Sequence, residues 1–278
     1  MVTRMAGTDA STSTGAPPPE RLRGTRFVIE RVPSTGSTNA DLLAAAADGA
    51  PAGSVLIADH QTAGRGRRGR TWEAPPGASL LMSVLLRPDI EPPRAAVLTA
   101  AVGLAARHAC RVVAGVEAGL KWPNDLVADT AAGERKLGGI LAESRVGAER
   151  VEVVVVGLGL NVMWPDPGPE ELADIAVALN QLRPGAEAVD RLDLVEALLH
   201  DLEVRIRSID SGDDRAVWSD WRAGAVTLGR RVRIETGDGA FTGQAEDVTD
   251  LGRLVLRTEG GARTEVDVGD VVHLRPAD

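Results

Sequence analysis

The 278-residue sequence predicts an α+β fold, in which helices pack on a mixed or antiparallel sheet and a small β-barrel forms the C-terminal end. Two observations lead to this prediction. Up to residue 224, short apolar runs of strand character alternate with alanine-rich segments of helical length. After Gly224, short alternating strands with glycine-rich turns follow, which is typical of a small barrel.

The first 22 residues are predicted to be a disordered tail. They are small and polar and include the consecutive prolines at 17–19, so they cannot bury enough apolar surface to become ordered. Ordered structure is expected to begin near residues 27–29. The chain is therefore expected to divide into the tail 1–22, a main domain 23–224 and a C-terminal domain 225–278.

The elements of the main domain follow from local signals. Ser37 or Thr38 is a suitable helix N-cap and Gly49 a suitable helix end, so residues 40–47 are predicted to be helical. The next segments predict two buried strands joined by a long loop, then a helix, three strands of an antiparallel meander and two helices: residues 54–58, 79–86, 94–113, 126–128, 136–143, 151–156, 190–209 and 213–223. The C-terminal domain has five strand candidates: residues 232–235, 242–247, 254–257, 264–268 and 271–274.

Composition limits the classes of function. The net charge of −9 argues against a protein that binds nucleic acid over a broad face. The longest uncharged apolar run, residues 95–106, is about half of the roughly 20 residues that cross a bilayer. We therefore expect a cytoplasmic protein with no nucleic-acid or membrane partner. The single cysteine, Cys110, cannot form an internal disulfide and is expected to pack inside a helix.

The most informative segment is the arginine loop, which we define as residues 61–72. Its centre, residues 64–70, holds four arginines and three glycines in an otherwise acidic chain. Glycine lets backbone N–H groups approach a ligand, and arginine offers a planar fork of donors to phosphate or carboxylate oxygens. The loop also matches G-x-G-x-x-G, but Pro75 and Pro76 follow and forbid the helix that a dinucleotide fold requires. The segment predicts a loop that holds an anionic ligand.

Three further stretches carry polar groups beside apolar strands. Residues 121–125 combine a lysine, a tryptophan, a proline, an amide and a carboxylate, and alone they fit a buried Trp-Pro turn equally well. Lys136 precedes the glycine pair 138–139, which allows a ligand to lie against the backbone, although a β-bulge alone explains it better. Residues 157–161 place two glycines before Asn161, which alone is a strand end.

Taken in order, these motifs closely resemble the biotin protein ligase family over about residues 27–275. The matching residues are Ser37-Thr38-Asn39, Gln61, 64–70, Trp72, 121–126, 136–141 and 157–161. The resemblance implies a class II synthetase-like catalytic domain and an SH3-like C-terminal domain. It also implies that ATP and biotin form biotinyl-5′-AMP and pyrophosphate, after which the biotinyl group passes to one lysine of a biotin carboxyl carrier domain of an acyl-CoA carboxylase.

The resemblance assigns roles to individual residues. Lys136 and Arg67 are expected to be catalytic. The biotin-binding set would be Ser37, Thr38, Asn39, Gln61, Arg65, Gly66, Arg67 and Lys136. The nucleotide-binding set would be Arg67, Arg70, Trp72, Asn124 and Asn161. Mg²⁺ would be held mainly through the phosphates. Asp125 is a candidate metal ligand and a candidate general base for the transfer step.

Alternatives remain open at this point. A lipoate or octanoate ligase or transferase has a related fold but a different glycine-rich loop. A biotin-responsive DNA-binding repressor would need a recognition helix, and an inactive binding protein would not need Arg67 and Lys136. Bifunctional members place roughly sixty residues or more before the catalytic domain, whereas 36 residues precede Ser37 here. We therefore expect a monofunctional ligase.

Overall fold

The computed structural model describes residues 17–147, 149–183, 185, 188–236, 239–267 and 270–273. The main domain holds a sheet of eight strands in the spatial order β1-β2-β3-β4-β8-β7-β6-β5. Strands β2 and β3 pair in parallel, and the other neighbouring strands pair antiparallel. The strands are β1 (Glu20–Arg21), β2 (Val28–Val32), β3 (Ser54–Ala58), β4 (Ser79–Leu86), β5 (Gly119–Lys121), β6 (Asp125–Thr130), β7 (Gly133–Val146) and β8 (Val151–Asn161).

Within the described ranges, four helices cover the two faces of this sheet: α1 (Thr38–Ala47), α2 (Ala96–Ala114), α3 (Arg191–Asp210) and α4 (Arg215–Gly224). Successive residues of a strand point to opposite faces. Leu56 of β3 accordingly packs in a cluster with Leu42 of α1, whereas Ile57 joins the larger cluster that includes α2 and α3. Strand β4 is buried on both faces, which explains why its residues are apolar except for Ser79 and Ser83.

Helix α2 occupies the centre of the larger cluster. With the turn before it, Pro92–Ala114 is long and apolar enough to span a membrane, but most of it is buried inside the fold. It ends at Gly115, whose positive φ of 63° suits glycine. Burial raises the pKa of the Cys110 thiol on this helix to about 12, and its side chain is fully buried. The structure thus places Cys110 as an inert packing residue.

The C-terminal sheet is antiparallel and has the order β12-β11-β10-β9-β13. Its strands are β9 (Arg231–Thr236), β10 (Gly239–Val248), β11 (Leu254–Thr258), β12 (Arg263–Val266) and β13 (Asp270–His273). Trp122 connects this sheet to the main domain, because its Nε1 donates to the Gly252 carbonyl at 2.8 Å and its backbone N–H donates to Thr227 Oγ1 at 3.1 Å.

Most predicted elements are confirmed, including the β6–β8 meander and the cap position Ser37, but three details differ. The two-residue strand β1 lies inside the range 1–22, so the disorder prediction is wrong for Glu20 and Arg21, while residues 1–16 lie outside the described residues. Strand β5 was not predicted, because three residues are too few to show a period. Strand β8 continues to Asn161 instead of ending before the glycines.

Candidate active site

One pocket collects almost every residue that the motifs single out. It lies where the start of α1, the arginine loop, the β5–β6 turn and the middle of β7 and β8 meet. The predicted site residues in its wall are Ser37, Thr38, Asn39, Gln61, Arg65, Gly66, Arg67, Arg70, Trp72, Asn124, Asp125 and Lys136. Segments up to a hundred residues apart in sequence therefore form one site, and Asn161 is the exception.

The arginine loop is folded on itself. The Gly66 N–H donates to the Arg70 carbonyl at 2.6 Å, and the Trp72 N–H donates to the Gly64 carbonyl at 3.0 Å. Glycine is required at position 64, because a Cβ there would overlap the Trp72 carbonyl oxygen. Arg68 adopts a positive φ of 56° at the tip of the loop, a conformation that costs most residues about 1 kcal/mol or more.

Three arginines attach this loop to different parts of the protein. Arg65 Nη2 donates to Glu143 Oε2 on β7 at 2.9 Å. Arg67 Nη1 donates to Asn124 Oδ1 at 3.0 Å. Arg68 Nη1 donates to the Glu235 carbonyl of the C-terminal sheet at 3.1 Å. The loop is thus held over the pocket by both domains.

Asn124 is itself fixed by the main chain. Its Nδ2 donates to the Ile140 carbonyl at 2.6 Å, and the Ile140 N–H donates to the Asn124 carbonyl at 2.9 Å. These two bonds orient the amide so that Oδ1 faces Arg67. The alternative of a simple buried turn is therefore incomplete, because the turn also positions a loop arginine.

A second group of polar side chains forms the inner wall of the pocket. The Thr38 N–H donates to Gln61 Oε1 at 2.8 Å, and Thr38 Oγ1 lies 2.7 Å from Ser83 Oγ. Ser83 donates to Asn39 Oδ1 at 2.6 Å, and the single Thr38 hydroxyl proton has two acceptors within reach, Gln61 Oε1 at 3.0 Å and Ser83 Oγ. Ser37, Thr38, Asn39 and Ser83 are buried. The bonds among Thr38, Asn39 and Ser83 therefore orient these groups before any ligand arrives.

Lys136 and Asp125 form the charged centre of the site. Lys136 Nζ donates to Asp125 Oδ1 at 2.7 Å across the β6–β7 pair. The register between these strands shifts at Leu137, which is the β-bulge that the glycine pair suggested. The same ammonium lies 5.7 Å from the centre of the Trp72 ring. Gly139 leaves room for this arrangement, since a Cβ there would be 3.2 Å from both Lys136 and Trp72.

The glycines of β8 accommodate side chains of this protein. A Cβ at Gly157 would overlap Asn39 Oδ1, and a Cβ at Gly159 would overlap the Trp72 indole. The structure shows that Asn39 and Trp72 take that space and that the ligand pocket lies beside them.

Asn161 lies outside the wall of this pocket. It is buried at the end of β8, where Oδ1 accepts from Ser79 Oγ at 3.4 Å and Nδ2 donates to the Val177 carbonyl at 3.2 Å. These bonds attach the chain after β8 to the sheet. Each bond uses one lone pair of Oδ1 or one hydrogen of Nδ2, so the amide keeps one of each.

Two residues of the site were not predicted. Ser83 is a polar residue inside the apolar run of β4, and that interruption was an available signal. Glu143 accepts from both Arg65 and Asn39, but nothing in the sequence distinguishes it from a solvated glutamate at the end of a strand.

The described residues do not fit a protein cage for a metal ion. No group of three His, Cys, Asp or Glu residues comes together among them. The one carboxylate predicted as a ligand, Asp125, is paired with Lys136. A carboxylate that is already paired with an ammonium is a poor ligand for Mg²⁺, which favours at least one free carboxylate besides phosphate oxygens and water.

The sequence matches two domain families. Residues 28–161 match the biotin/lipoate A/B protein ligase family, and residues 227–274 match the biotin protein ligase C terminal domain. The chain is 44% identical to a biotin–[acetyl-CoA-carboxylase] ligase of Mycobacterium tuberculosis, over 89% of each chain. It is 34% identical to the bifunctional ligase/repressor BirA of Bacillus spizizenii, over 87% of this chain and 72% of the relative.

Solved structures agree with these matches. The biotin protein ligase of Aquifex aeolicus in complex with biotin and ATP superposes with a TM-score of 0.72 at 25% identity, covering 89% of this chain and 98% of that one. The extent of the sequence match to the Mycobacterium tuberculosis ligase, together with both domain matches and the shared fold, shows that this chain belongs to the biotin protein ligase family.

Proposed function

We propose the residue-level mechanism by which this chain, as an ATP-dependent biotin protein ligase, joins biotin to ATP and passes the biotinyl group to a carrier lysine. The single observation that carries the proposal is the pocket itself. It brings a hydrogen-bonded polar wall suited to a neutral ring, the two cations Arg67 and Lys136, and an aromatic ring to one place. These are the groups that the two substrates and the developing charge require.

Biotin is proposed to lie against the inner wall. Its ureido ring offers two N–H donors and one carbonyl acceptor, so it needs both kinds of partner. Thr38, Asn39 and Gln61 supply oriented amide and hydroxyl groups, with Ser37 beside them. Because these groups are already hydrogen-bonded to one another, little side-chain freedom is lost on binding. Arg65, Gly66 and Arg67 would cover the ring from the loop side.

The first chemical step joins two anions. A carboxylate oxygen of biotin attacks the α-phosphorus of ATP, a new P–O bond forms, and pyrophosphate leaves with the electrons of the broken bond. Arg67 and Lys136 line the same pocket and are suited to neutralise charge along this path. Asp125 would position Lys136 by the 2.7 Å bond. No covalent intermediate with the enzyme is needed.

The nucleotide is proposed to occupy the Trp72 side of the pocket. Trp72 presents an aromatic ring beside Lys136, and Arg70 and Asn124 line the same region. Asn161 stays a predicted nucleotide contact, although it is buried outside the wall of this pocket and is bonded to Ser79 and Val177. Mg²⁺ would be held mainly by phosphate oxygens. When bound, it supplies additional neutralisation of phosphate charge.

The second step transfers the biotinyl group. The amine of the carrier lysine attacks the acyl carbon, the acyl–phosphate bond breaks, and AMP leaves. The free lysine has a pKa of about 10.4, so it must lose a proton before it attacks. Asp125 was the candidate base, but its bond to Lys136 makes it a positioning group instead.

The partner is proposed to be a biotin carboxyl carrier domain of an acyl-CoA carboxylase. The cytoplasmic location and the domain limits stay predictions.

Biotin-dependent exchange of labelled pyrophosphate into ATP tests the first step directly. The purified protein would be assayed with Mg²⁺ and biotin, beside lipoate and octanoate. Exchange with biotin alone is expected. Exchange only with lipoate or octanoate would assign the pocket to the other substrates of the matched family, and no exchange with any acid would indicate a binding protein without this activity.

Transfer is tested separately with an isolated apo-carrier domain. Attachment of biotin to one lysine of that domain is expected after adenylation. A protein that exchanges pyrophosphate but labels no carrier would contradict the proposed second step and leave the first intact.

A further inference from the structure

Glu143 was not among the predicted site residues, yet it connects the arginine loop with the start of α1 at the proposed biotin pocket. Its Oε2 accepts from Arg65 Nη2 at 2.9 Å and from Asn39 Nδ2 at 2.8 Å. Its side chain is 25% exposed. One carboxylate oxygen on β7 therefore contacts both the arginine loop and the start of α1.

The contact extends into a continuous chain of hydrogen bonds. Asn39 accepts from Ser83, Ser83 contacts Thr38, and Thr38 donates to Gln61. We call this set, from the loop to the inner wall, the coupling network: Arg65, Glu143, Asn39, Ser83, Thr38 and Gln61. Every residue of the network except Glu143 and Ser83 belongs to the proposed biotin-binding set.

A glutamate suits this place for two physical reasons. An ionised carboxylate only accepts hydrogen bonds and has several lone pairs, so one oxygen can serve an arginine and an amide at once. Bonds to ionised groups are also about twice as strong as neutral ones. Asn39 Nδ2 donates to Glu143 and to the Leu141 carbonyl at 3.0 Å, so both of its hydrogens are used. The orientation of the Asn39 amide is thereby fixed, with Oδ1 towards Ser83.

We propose that Glu143 is a positioning residue, which sets the arginine loop and the Asn39 amide together in the geometry that binds biotin and retains biotinyl-5′-AMP. The inference rests on the proposed function of this pocket. Glu143 acts through Arg65 and Asn39 and does not take part in the chemistry.

This role is separable from folding. The Arg65–Glu143 pair is partly exposed on both sides, and such pairs contribute little to stability. Removal of the carboxylate should therefore loosen the loop while the fold remains. It also leaves Asn39 Nδ2 with one acceptor, so the amide can turn and disturb the bond to Ser83.

The test uses the full-length enzyme and a graded series: Glu143→Gln, Glu143→Ala, Arg65→Ala and the double variant Arg65→Ala/Glu143→Gln. Glu152→Gln on neighbouring β8 is the matched control, since it is an exposed glutamate of the same sheet. We would measure kcat and biotin KM in pyrophosphate exchange, the rate at which biotinyl-5′-AMP dissociates, and the midpoint of thermal unfolding.

We expect Glu143→Ala to raise biotin KM and adenylate dissociation by roughly tenfold, with kcat changed much less and the unfolding midpoint near that of the wild type. Glu143→Gln should give values of biotin KM and adenylate dissociation between those of the wild type and Glu143→Ala. Its amide oxygen still accepts a hydrogen bond but carries no charge. In the double variant, the increase in biotin KM and in adenylate dissociation should be smaller than the product of the two single effects. Arg65→Ala alone leaves the Glu143 carboxylate without its arginine, whereas the double variant removes both charges.

Three results would overturn the proposal: unchanged biotin KM and adenylate dissociation in Glu143→Ala, effects that multiply in the double variant, or losses that follow the unfolding midpoint. If Glu143→Ala does not fold, Glu143→Gln decides by the same criteria. Failure of the proposed function is recognised separately, because the wild type would then show no biotin-dependent exchange. Calorimetric titration with biotin would still compare the wild type and Glu143→Gln.

Discussion

Lys136 Nζ lies 2.7 Å from Asp125 Oδ1, so the lysine proposed for catalysis is held by a carboxylate on the adjacent strand. The β-bulge at Leu137 interrupts the β6–β7 register between these residues. Trp72 lies on the other side of the ammonium. Lys136 is thus held between two strands and a ring, which limits its motion without removing it from the pocket.

Replacement of Lys136 tests whether this ammonium stabilises the transferring phosphate. Lys136→Ala should reduce biotin-dependent pyrophosphate exchange by about 10²–10³-fold, because a preorganised charge near the reacting phosphate is lost. Asp125→Asn keeps the shape of the side chain and should cost roughly tenfold, since the lysine remains but is less well oriented. The measurement is kcat for exchange at saturating biotin and ATP. Arg150→Ala, which removes a surface cation far along the sheet, is the control, and normal exchange by Lys136→Ala would reject the assignment.

The β8 glycines lead to a second prediction. Gly157→Ala would place a Cβ into Asn39 Oδ1, so Asn39 must move and its bond to Ser83 is strained. Overpacking of this kind costs about 1–3 kcal/mol, and biotin affinity should fall with it. Gly260→Ala is the matched control, because its Cβ would meet open space at an ordinary φ. Urea unfolding and calorimetric titration with biotin measure both effects, and equal behaviour of the two variants would contradict the overlap.

The sequence allowed much of this site to be predicted, because its key residues lie in dense local runs of polar residues and glycines. Ser37, Lys136 and the arginine loop are examples, and the strands around them are apolar enough to be recognised. Glu143 could not be predicted, since its importance comes from two partners distant in sequence. Asn161 is a different case. A motif identifies its position in the sequence, but its bonds to Ser79 and Val177 become visible only in the fold.

Retention of the adenylate is expected to depend on Arg67 and on the residue that orients it. Arg67→Gly should release biotinyl-5′-AMP faster, because the loop loses both a cation and its bond to Asn124. Asn124→Ala should act in the same direction but more weakly, since Arg67 remains. The release rate should rise by roughly tenfold or more in Arg67→Gly, which is the effect expected from the loss of one charge-assisted hydrogen bond.

The rate is measured by chasing labelled adenylate with unlabelled biotin and ATP. Arg145→Ala, which removes an exposed arginine that is bound to the Leu43 carbonyl of α1, is the control. Unchanged release from Arg67→Gly would show that the arginine does not close the pocket.

Glu203 binds Arg26 and thereby attaches the segment before β2 to α3, which leads to a pH-dependent prediction of stability. Burial raises the pKa of Glu203, but donors from Arg26 and Arg207 outweigh it and hold that pKa below its usual range. The stabilisation is therefore present above the unfolded pKa of about 4.3 and is lost as pH falls through the folded value. Glu203→Gln should lower the free energy of unfolding by about 1–3 kcal/mol at pH 7. The difference from the wild type should shrink as the pH falls below about 4.3, and its charge-dependent part should disappear below the lower folded pKa, where the carboxyl is neutral in both states. Urea unfolding at pH 7, 5 and 3.5 measures it, with the exposed Glu196→Gln as control, and a difference that is constant with pH would mean that the charge of Glu203 is not the stabilising feature.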